Sequence, residues 1–233
     1  MYFIGDIHGR FDDLLKSIKD KKIKNESLII CGDFGVGFND TMEDVLFESM
    51  VLKNLNDNLV EDNNKLYVVR GNHDDPKYFS KRTIILSNMI FVEDYTILKI
   101  DGHNILCLGG AISIDREVKR KIPNHYWKDE HFVFDRKRLE AIRGVDIVVT
   151  HTAPDFAPLT KIHKNFVGYV ERDTILKIDL EDERKILTES YNILSKNNKI
   201  DKWIYGHFHT SATTKYDNTE FILLNINEFL KLF

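Results

Sequence analysis

The sequence predicts an α/β fold built as a two-sheet β sandwich flanked by helices, an αββα arrangement. Short, wholly apolar runs alternate with helical-period segments in the first third, as in a mostly parallel sheet. Further on, short strands with hairpin turn signals cluster, and helices remain to cover two β layers.

The elements follow in order. YFI opens the chain, and FDDLLKSIKD carries Phe11, Leu14, Leu15 and Ile18 at helical spacing. SLIIC reads as a buried strand. Thr41 and Asp44 form an N-terminal cap signature for a helix from Thr41 to Asn58. KLYVV is the next strand. From Met89 to Leu108 the texture changes: MIFVED, TILKI and NILCLGG are short strands, with an Asp101-Gly102 turn between the last two. Residues 112–130 are polar and irregular, an amphipathic helix ends near Ile142, and VDIVV reads as a fourth strand of the parallel kind. Residues 154–178 read mostly as loop. Leu180 to Lys196 reads as a helix with Ile186, Leu187, Tyr191 and Leu194 on one side. KWIY, ATTKY and EFILLNI close the chain, the last two around Asp217-Asn218. No repeat, low-complexity tract or linker interrupts it, so residues 1–233 read as one domain.

Composition narrows the function classes. Hydrophobic content of 42% and charged content of 30% are ordinary for a soluble globular chain, and a net charge of -4 gives no general attraction to nucleic acid or a membrane surface. Cys31 and Cys107, each in an apolar run, read as buried free thiols in a reducing compartment. With no leader pattern and no apolar run long enough to span a bilayer, a cytoplasmic location is expected.

The polar residues that follow each strand carry the chemistry. YFI leads into Asp6 and His8, SLIIC into Asp33, LYVV into Asn72 and His73, DIVV into His151, and KWIY into His207 and His209. Ligands in open α/β sheets bind beyond the carboxyl ends of strands, so these groups should meet on one rim. Carboxylate and amide oxygens with neutral imidazoles favour divalent Mn, Fe or Zn, and no thiolate stands among them. Gly5, Gly32, Gly71 and Gly206 lead into these motifs, where the chain must bend tightly and side chains crowd together. Any one of these residues has an ordinary structural reading as a cap, a turn former or a hydrogen-bonded core histidine. Their joint placement after five strands is what points to a shared metal site.

At these positions, GDIHG, GDFG, GNHD, TH and GHFH occur in order between Gly5 and His209, and the chain resembles the calcineurin-like metallophosphoesterase superfamily. The resemblance implies a metallophosphoesterase-like sandwich and two divalent metal ions, Mn2+ foremost, with Fe, Zn or Ni as alternatives. It implies that Asp6, His8, Asp33 and His209 hold one ion, that Asp33, Asn72, His151 and His207 hold the other, and that Asp33 bridges them. His73 matches the family's general acid. A metal pair about 3.5–4 Å apart lets a bridging hydroxide attack phosphorus in line. After Asp6, Asp33 and that hydroxide are counted, about one positive charge remains to attract a phosphate oxygen.

The match has one departure. Protein phosphatases of the superfamily read GD-x-VDRG after the second strand, whereas Val36 stands here where their aspartate orients the histidine acid, and their arginine is missing. Asp74 or Asp75 is the substitute the sequence offers. The basic and aromatic segment 112–130, with Arg116, Lys119, Arg120, Lys121, His125, Tyr126 and Trp127, follows Gly109-Gly110 and could lie over the rim. Arg116 and His125 are its expected substrate-binding residues. Arg10 is a weaker candidate, and Arg70 is expected to pair with an acid. The function expected is hydrolysis of small phosphomonoesters or phosphodiesters, with a small phosphorylated substrate as partner and no membrane. The alternatives are a nuclease-type phosphodiesterase acting on DNA or RNA, which the acidic net charge disfavours, and a non-catalytic protein-binding scaffold, which would be expected to have lost ligands.

Overall fold

In a strand, successive side chains point to opposite faces, and a strand covered on both sides must be apolar throughout. The computed structural model describes residues 1–80, 86–157 and 165–232, and the rule holds in the buried stretches of the central strands, with Ser27, Lys65 and Lys202 standing at strand starts. In β1 (Tyr2–Ile4), Phe3 faces the second sheet and Ile4 faces the helices; in β2 (Ser27–Ile30), Ile29 faces inward and Leu28 and Ile30 outward. Both strands are buried from two sides.

β1 and β2 pair in parallel, β2 pairs with β3 (Lys65–Val68), and β3 pairs with β4 (Met89–Phe91), also in parallel. β4 therefore completes the first sheet rather than joining the hairpin strands that follow it. The second sheet runs in the order β5 (Thr96–Ile100), β6 (His103–Leu108), β7 (Ile147–Thr150), β8 (Lys202–Tyr205), β10 (Thr219–Leu223) and β9 (Ala212–Tyr216). Its four middle strands are parallel and its two edges antiparallel. VDIVV is parallel, as expected, but lies at the centre of this second sheet. Phe3, Ile29, Cys31, Cys107, Ile147, Val149 and Ile204 fill the space between the sheets, so both cysteines are buried free thiols.

Helices cover the outer faces. α1 (Phe11–Asp20) and α2 (Met42–Glu61) pack on the first sheet through Leu14, Ile18, Leu52, Leu55 and Leu59. α2 begins with the predicted Thr41–Asp44 capping box and runs to Glu61, beyond the expected Asn58. α5 (Arg136–Ala141) and α7 (Leu176–Asn197) cover the second sheet, where Leu139, Leu187, Tyr191 and Leu194 meet Trp203 and Phe221. Short helices α3 (Lys77–Ser80), α4 (Arg116–Lys119) and α6 (Phe166–Arg172) punctuate the connections. The fold is the predicted α/β sandwich of two sheets between helices. No helix among the described residues is long and apolar enough to cross a membrane.

Three segments differ from expectation. Residues 154–178, read as loop, contain α6 and the first turn of α7, while 158–164 lie outside the described residues. Ile175 and Ile178 are exposed, so no apolar stripe marks that first turn; Arg116 bonding Asp173 and Asp179 ties it down instead. A final strand, β11 (Phe229–Lys231), pairs antiparallel with β1, a three-residue edge defined by its partner rather than by its own pattern. The irregular 112–130 stretch contains one turn of helix, α4.

That stretch is fastened at both ends by buried acids. Glu183 of α7 accepts the backbone N–H groups of Ile112 and Phe132, both at 3.2 Å, and Glu130 accepts that of Ser113 at 2.8 Å. Burial pushes both carboxyls up to about 7 from an ordinary 4.5. A folded carboxyl that holds its proton more tightly stabilises the native state fully below pH 4.5 and loses that contribution as pH rises through about 7. The loss is on the order of 3 kcal/mol per group. Denaturation of the protein should accordingly show stability falling from about pH 5 to about pH 8, with a shallower fall in Glu183→Gln. An unchanged slope would contradict the burial cost assigned to Glu183.

Candidate metal centre

Five strand ends, those of β1, β2, β3, β7 and β8, converge on one rim. Two groups of donors form there. Donor atoms of Asp6, His8, Asp33 and His209 lie within 4.8 Å of one another, as do those of Asp33, His151 and His207. Asp33 belongs to both. His8 Nε2 stands 2.8 Å from His209 Nε2, 3.6 Å from Asp6 Oδ2 and 3.7 Å from Asp33 Oδ2, and His209 Nε2 stands 3.1 Å from Asp6 Oδ2. Donors held at about 2.1 Å by a single ion sit roughly 3–3.5 Å from each other, so this spacing fits a shared cation.

The second group is oriented from behind. His151 Nδ1 lies 2.8 Å from the Cys31 carbonyl; donating its proton there leaves Nε2 facing Asn72 Oδ1 and Asp33 Oδ1, each at 3.1 Å. Asn72 Nδ2 donates 2.9 Å to Ser113 Oγ, which turns its carbonyl oxygen towards His151. The amide and imidazole are thereby fixed in the sense that a cation requires. Asn72, expected as a ligand, presents its oxygen to His151 of this group.

The titration pattern describes a pocket that calls for positive charge. Burial alone would raise the Asp6 carboxyl, but bonds from His209 and His8 outweigh it and hold it at about 2. Asp33 is likewise buried, yet His151 and His73 keep it well below the carboxylate range. Burial would depress His151, but Asp33 raises it to about 9. His207 has no such compensation: burial and the neighbouring His151 push it down to about 3, and it remains a neutral donor.

Backbone geometry explains the leading glycines. A Cβ on Gly71 would sit 2.2 Å from Asp33 Oδ1, and one on Gly206 would sit 2.1 Å from Asp6 Oδ1. These positions are glycine because ligands pass directly over them, a closer constraint than the tight bend expected from sequence.

The sequence matches the calcineurin-like phosphoesterase family over residues 1–211. The chain belongs to this family. One crystal structure aligns with 97% of the chain and 90% of its own length at 13% identity and a TM-score of 0.58, which supports the fold alone. A phosphopantetheinyl hydrolase from Mycobacterium tuberculosis aligns over 97% of this chain and 89% of its own at 16% identity, with a TM-score of 0.44. An archaeal phosphodiesterase aligns over 97% and 84% at 13% identity, with a TM-score of 0.36. No curated protein matches the sequence.

The remaining residues expected at the site lie around this cluster. His73 lies beside it: its backbone N–H donates 2.7 Å to Asp33 Oδ1, and its ring stands 4.9 Å from that of His8. Burial is the chief reason the His73 imidazole falls to about 4, with Lys119 and His8 adding to the effect against Asp33. Neither substitute for the missing aspartate serves it. Asp74 accepts the backbone N–H groups of Gly71 and Gly35, both at 2.7 Å, and buckles two ligand loops together; Asp75 accepts from Lys77 N. The side chain that reaches the His73 ring is Lys119, with Nζ 3.1 Å from Nε2.

Arg116 is a correction. It is expected from sequence to bind substrate, but the residue is buried and its guanidinium is engaged by Asp173 and Asp179, each at 2.6 Å. It clamps α4 to the start of α7. His125 approaches the rim indirectly: its ring is 5.4 Å from Phe38, whose ring is 6.0 Å from His73. Trp127 packs on the same Phe38 at 5.0 Å, so the basic-aromatic segment does lie beside the site. Arg70 pairs with Asp94 at 2.9 Å, as expected, and Arg10 is exposed. Ser113 and Glu130 were missed, since nothing in ISIDRE or KDEH distinguishes them from ordinary loop residues.

Gly206→Ala tests the arrangement without removing a ligand. It should weaken metal binding by about 10–100-fold, because the new methyl displaces Asp6, and metal content after dialysis against a weak chelator reads this directly. Retention of wild-type affinity would show that Asp6 does not need its observed position.

Proposed function

We propose that the protein is a dinuclear metal-dependent phosphoesterase that hydrolyses phosphomonoesters or small phosphodiesters, and that Asp6, His8, Asp33, Asn72, His151, His207 and His209 hold two divalent ions, Mn2+ foremost. The observation that carries this reading is Asp33, the one carboxylate common to both donor groups. Such ions would acidify the attacking water and neutralise charge developing on the phosphoryl oxygens.

The chain's own residues supply the rest. Asp33 is fixed by the His73 N–H, and its carbonyl accepts the Ile7 and His8 N–H groups at 2.9 and 2.8 Å, so its carboxylate cannot swing away. Asp6 is held by the His207 N–H at 3.1 Å. In its protonated form, which the surroundings disfavour, His73 borders the first group closely enough to donate a proton to a departing ester oxygen, a role often worth about 10²–10⁴-fold. The ring shelf of Phe38, His125 and Trp127 offers the leaving group an apolar and aromatic wall.

Asp33→Asn should abolish turnover of p-nitrophenyl phosphate, bis-p-nitrophenyl phosphate and oligonucleotides alike, because it weakens both ion sites together. The assay is a panel with Mn²⁺, Fe²⁺, Zn²⁺ and Ni²⁺ beside metal analysis. Wild-type activity in Asp33→Asn would refute the bridging role. A wild-type protein that binds no metal and hydrolyses none of the panel would end the enzyme reading.

A further inference from the structure

Lys119 is a buried cation with an unusual set of partners. It is 6% exposed, and lysine is seldom buried to that degree without a close carboxylate. Its Nζ stands 3.1 Å from His73 Nε2 and 3.1 Å from Ser113 Oγ, while Asp115, itself 31% exposed in its side chain, is 3.4 Å away. Two of its three donor directions thus end on neutral groups. Arg116, one turn earlier on α4, is neutralised by two carboxylates, and Arg70 has Asp94 in direct contact. Lys119 is instead offset, among the described residues, by one carboxylate only, the partly exposed Asp115 at 3.4 Å.

Its position is also controlled. Ser113 Oγ donates to Glu130 Oε2 at 2.9 Å and accepts from both Asn72 Nδ2 and Lys119 Nζ, so one hydroxyl separates Lys119 from a proposed ion ligand. Lys119 and His73 therefore face the same space, one through a fixed positive charge and the other through a ring N–H. An anion touching His73 lies within a few ångströms of that charge.

We infer that Lys119 binds the substrate phosphate from the side opposite the ion site, and that it selects the doubly charged terminal phosphate of phosphomonoesters over the singly charged phosphodiester. The inference rests on the proposed phosphoesterase reading. Two ions balanced by Asp6, Asp33 and a hydroxide leave about one positive charge, which suits a diester monoanion. Lys119, offset in part by the partly exposed Asp115, adds to it and so favours a monoester dianion. The ammonium is a point charge on a flexible stem, suited to follow the phosphate as its oxygens move.

The test uses the Zn²⁺-loaded full chain. Titration calorimetry with inorganic phosphate at about pH 8 should show Lys119→Met binding about 10–100-fold more weakly, the value of one charge-assisted hydrogen bond, while Lys119→Arg retains most of the affinity. For kcat/KM, Lys119→Met should lose about the same factor on p-nitrophenyl phosphate and less than about threefold on bis-p-nitrophenyl phosphate. Equal losses on the two esters, or phosphate affinity within about twofold of wild type, would overturn the inference. If Lys119→Met does not fold or loses zinc, the wild-type Lys119 Nζ resonance decides: it should shift as phosphate is added, and a resonance that stays still refutes the contact. Wild type that hydrolyses neither ester with any of Mn²⁺, Fe²⁺, Zn²⁺ or Ni²⁺ would sink the proposed function, while the phosphate titration would still judge Lys119.

Discussion

A carboxylate buried between two groups of imidazoles must either be protonated or draw positive charge to itself. Asp33 is in that position. Its side chain is enclosed at the ends of both sheets, and His8 and His151 approach it from opposite sides at 3.7 and 3.1 Å. The surroundings keep it ionised, and the consequence spreads outward: His151 is pulled up to about 9, and the glycines beneath the ligands are compelled by steric contact. The rest of the molecule serves to hold this unfavourable concentration of like groups in place. Two sheets, each buried on both faces, supply the rigid strand ends that do so.

Around that centre lies a second ring of buried polar groups, each with a hydrogen-bond partner. Asp74 joins the loops after β2 and β3; Ser113 links Asn72, Glu130 and Lys119; Glu183 pins both ends of the segment that carries them. An unpaired member would cost roughly 1–3 kcal/mol, so the ring acts as one unit rather than as separate contacts. Arg116 belongs to its outer edge. Clamping α4 to Asp173 and Asp179 fixes the short helix on which Lys119 stands, so a residue expected at the substrate acts instead on the residue beside it.

What was legible in the sequence was whatever depended on local pattern. Strand ends carrying Asp, Asn and His could be read because apolar runs mark the strands and these polar residues follow them directly. The divided core was legible in runs such as LIIC, where every residue is apolar. α6, β11 and the first turn of α7 were not, because their partners lie far along the chain and their own apolar spacing is weak. Arg116 and Lys119 make the point sharply: they are three residues apart on one helical turn, and composition offers no reason to prefer either. The fold turns one towards Asp173 and the other towards His73, a choice made by residues 57 and 46 positions away.

Backbone conformation completes the physical account. His8, Asp33, His207 and His209 all have positive φ, between 50° and 70°, a region that side-chain-bearing residues occupy at a cost. Asp and His tolerate it better than most, but four such residues around one centre represent stored strain. It is held by specific bonds: Ile7 and His8 N–H to the Asp33 carbonyl, Gly9 N–H to Phe34, and His207 N–H to Asp6. The loops are therefore ordered by the protein's own hydrogen bonds, and an incoming ion need not order them. Binding free energy that would otherwise go into arranging these side chains remains available to hold a cation. The strain is the structural reason for expecting a preformed centre rather than one assembled on metal binding.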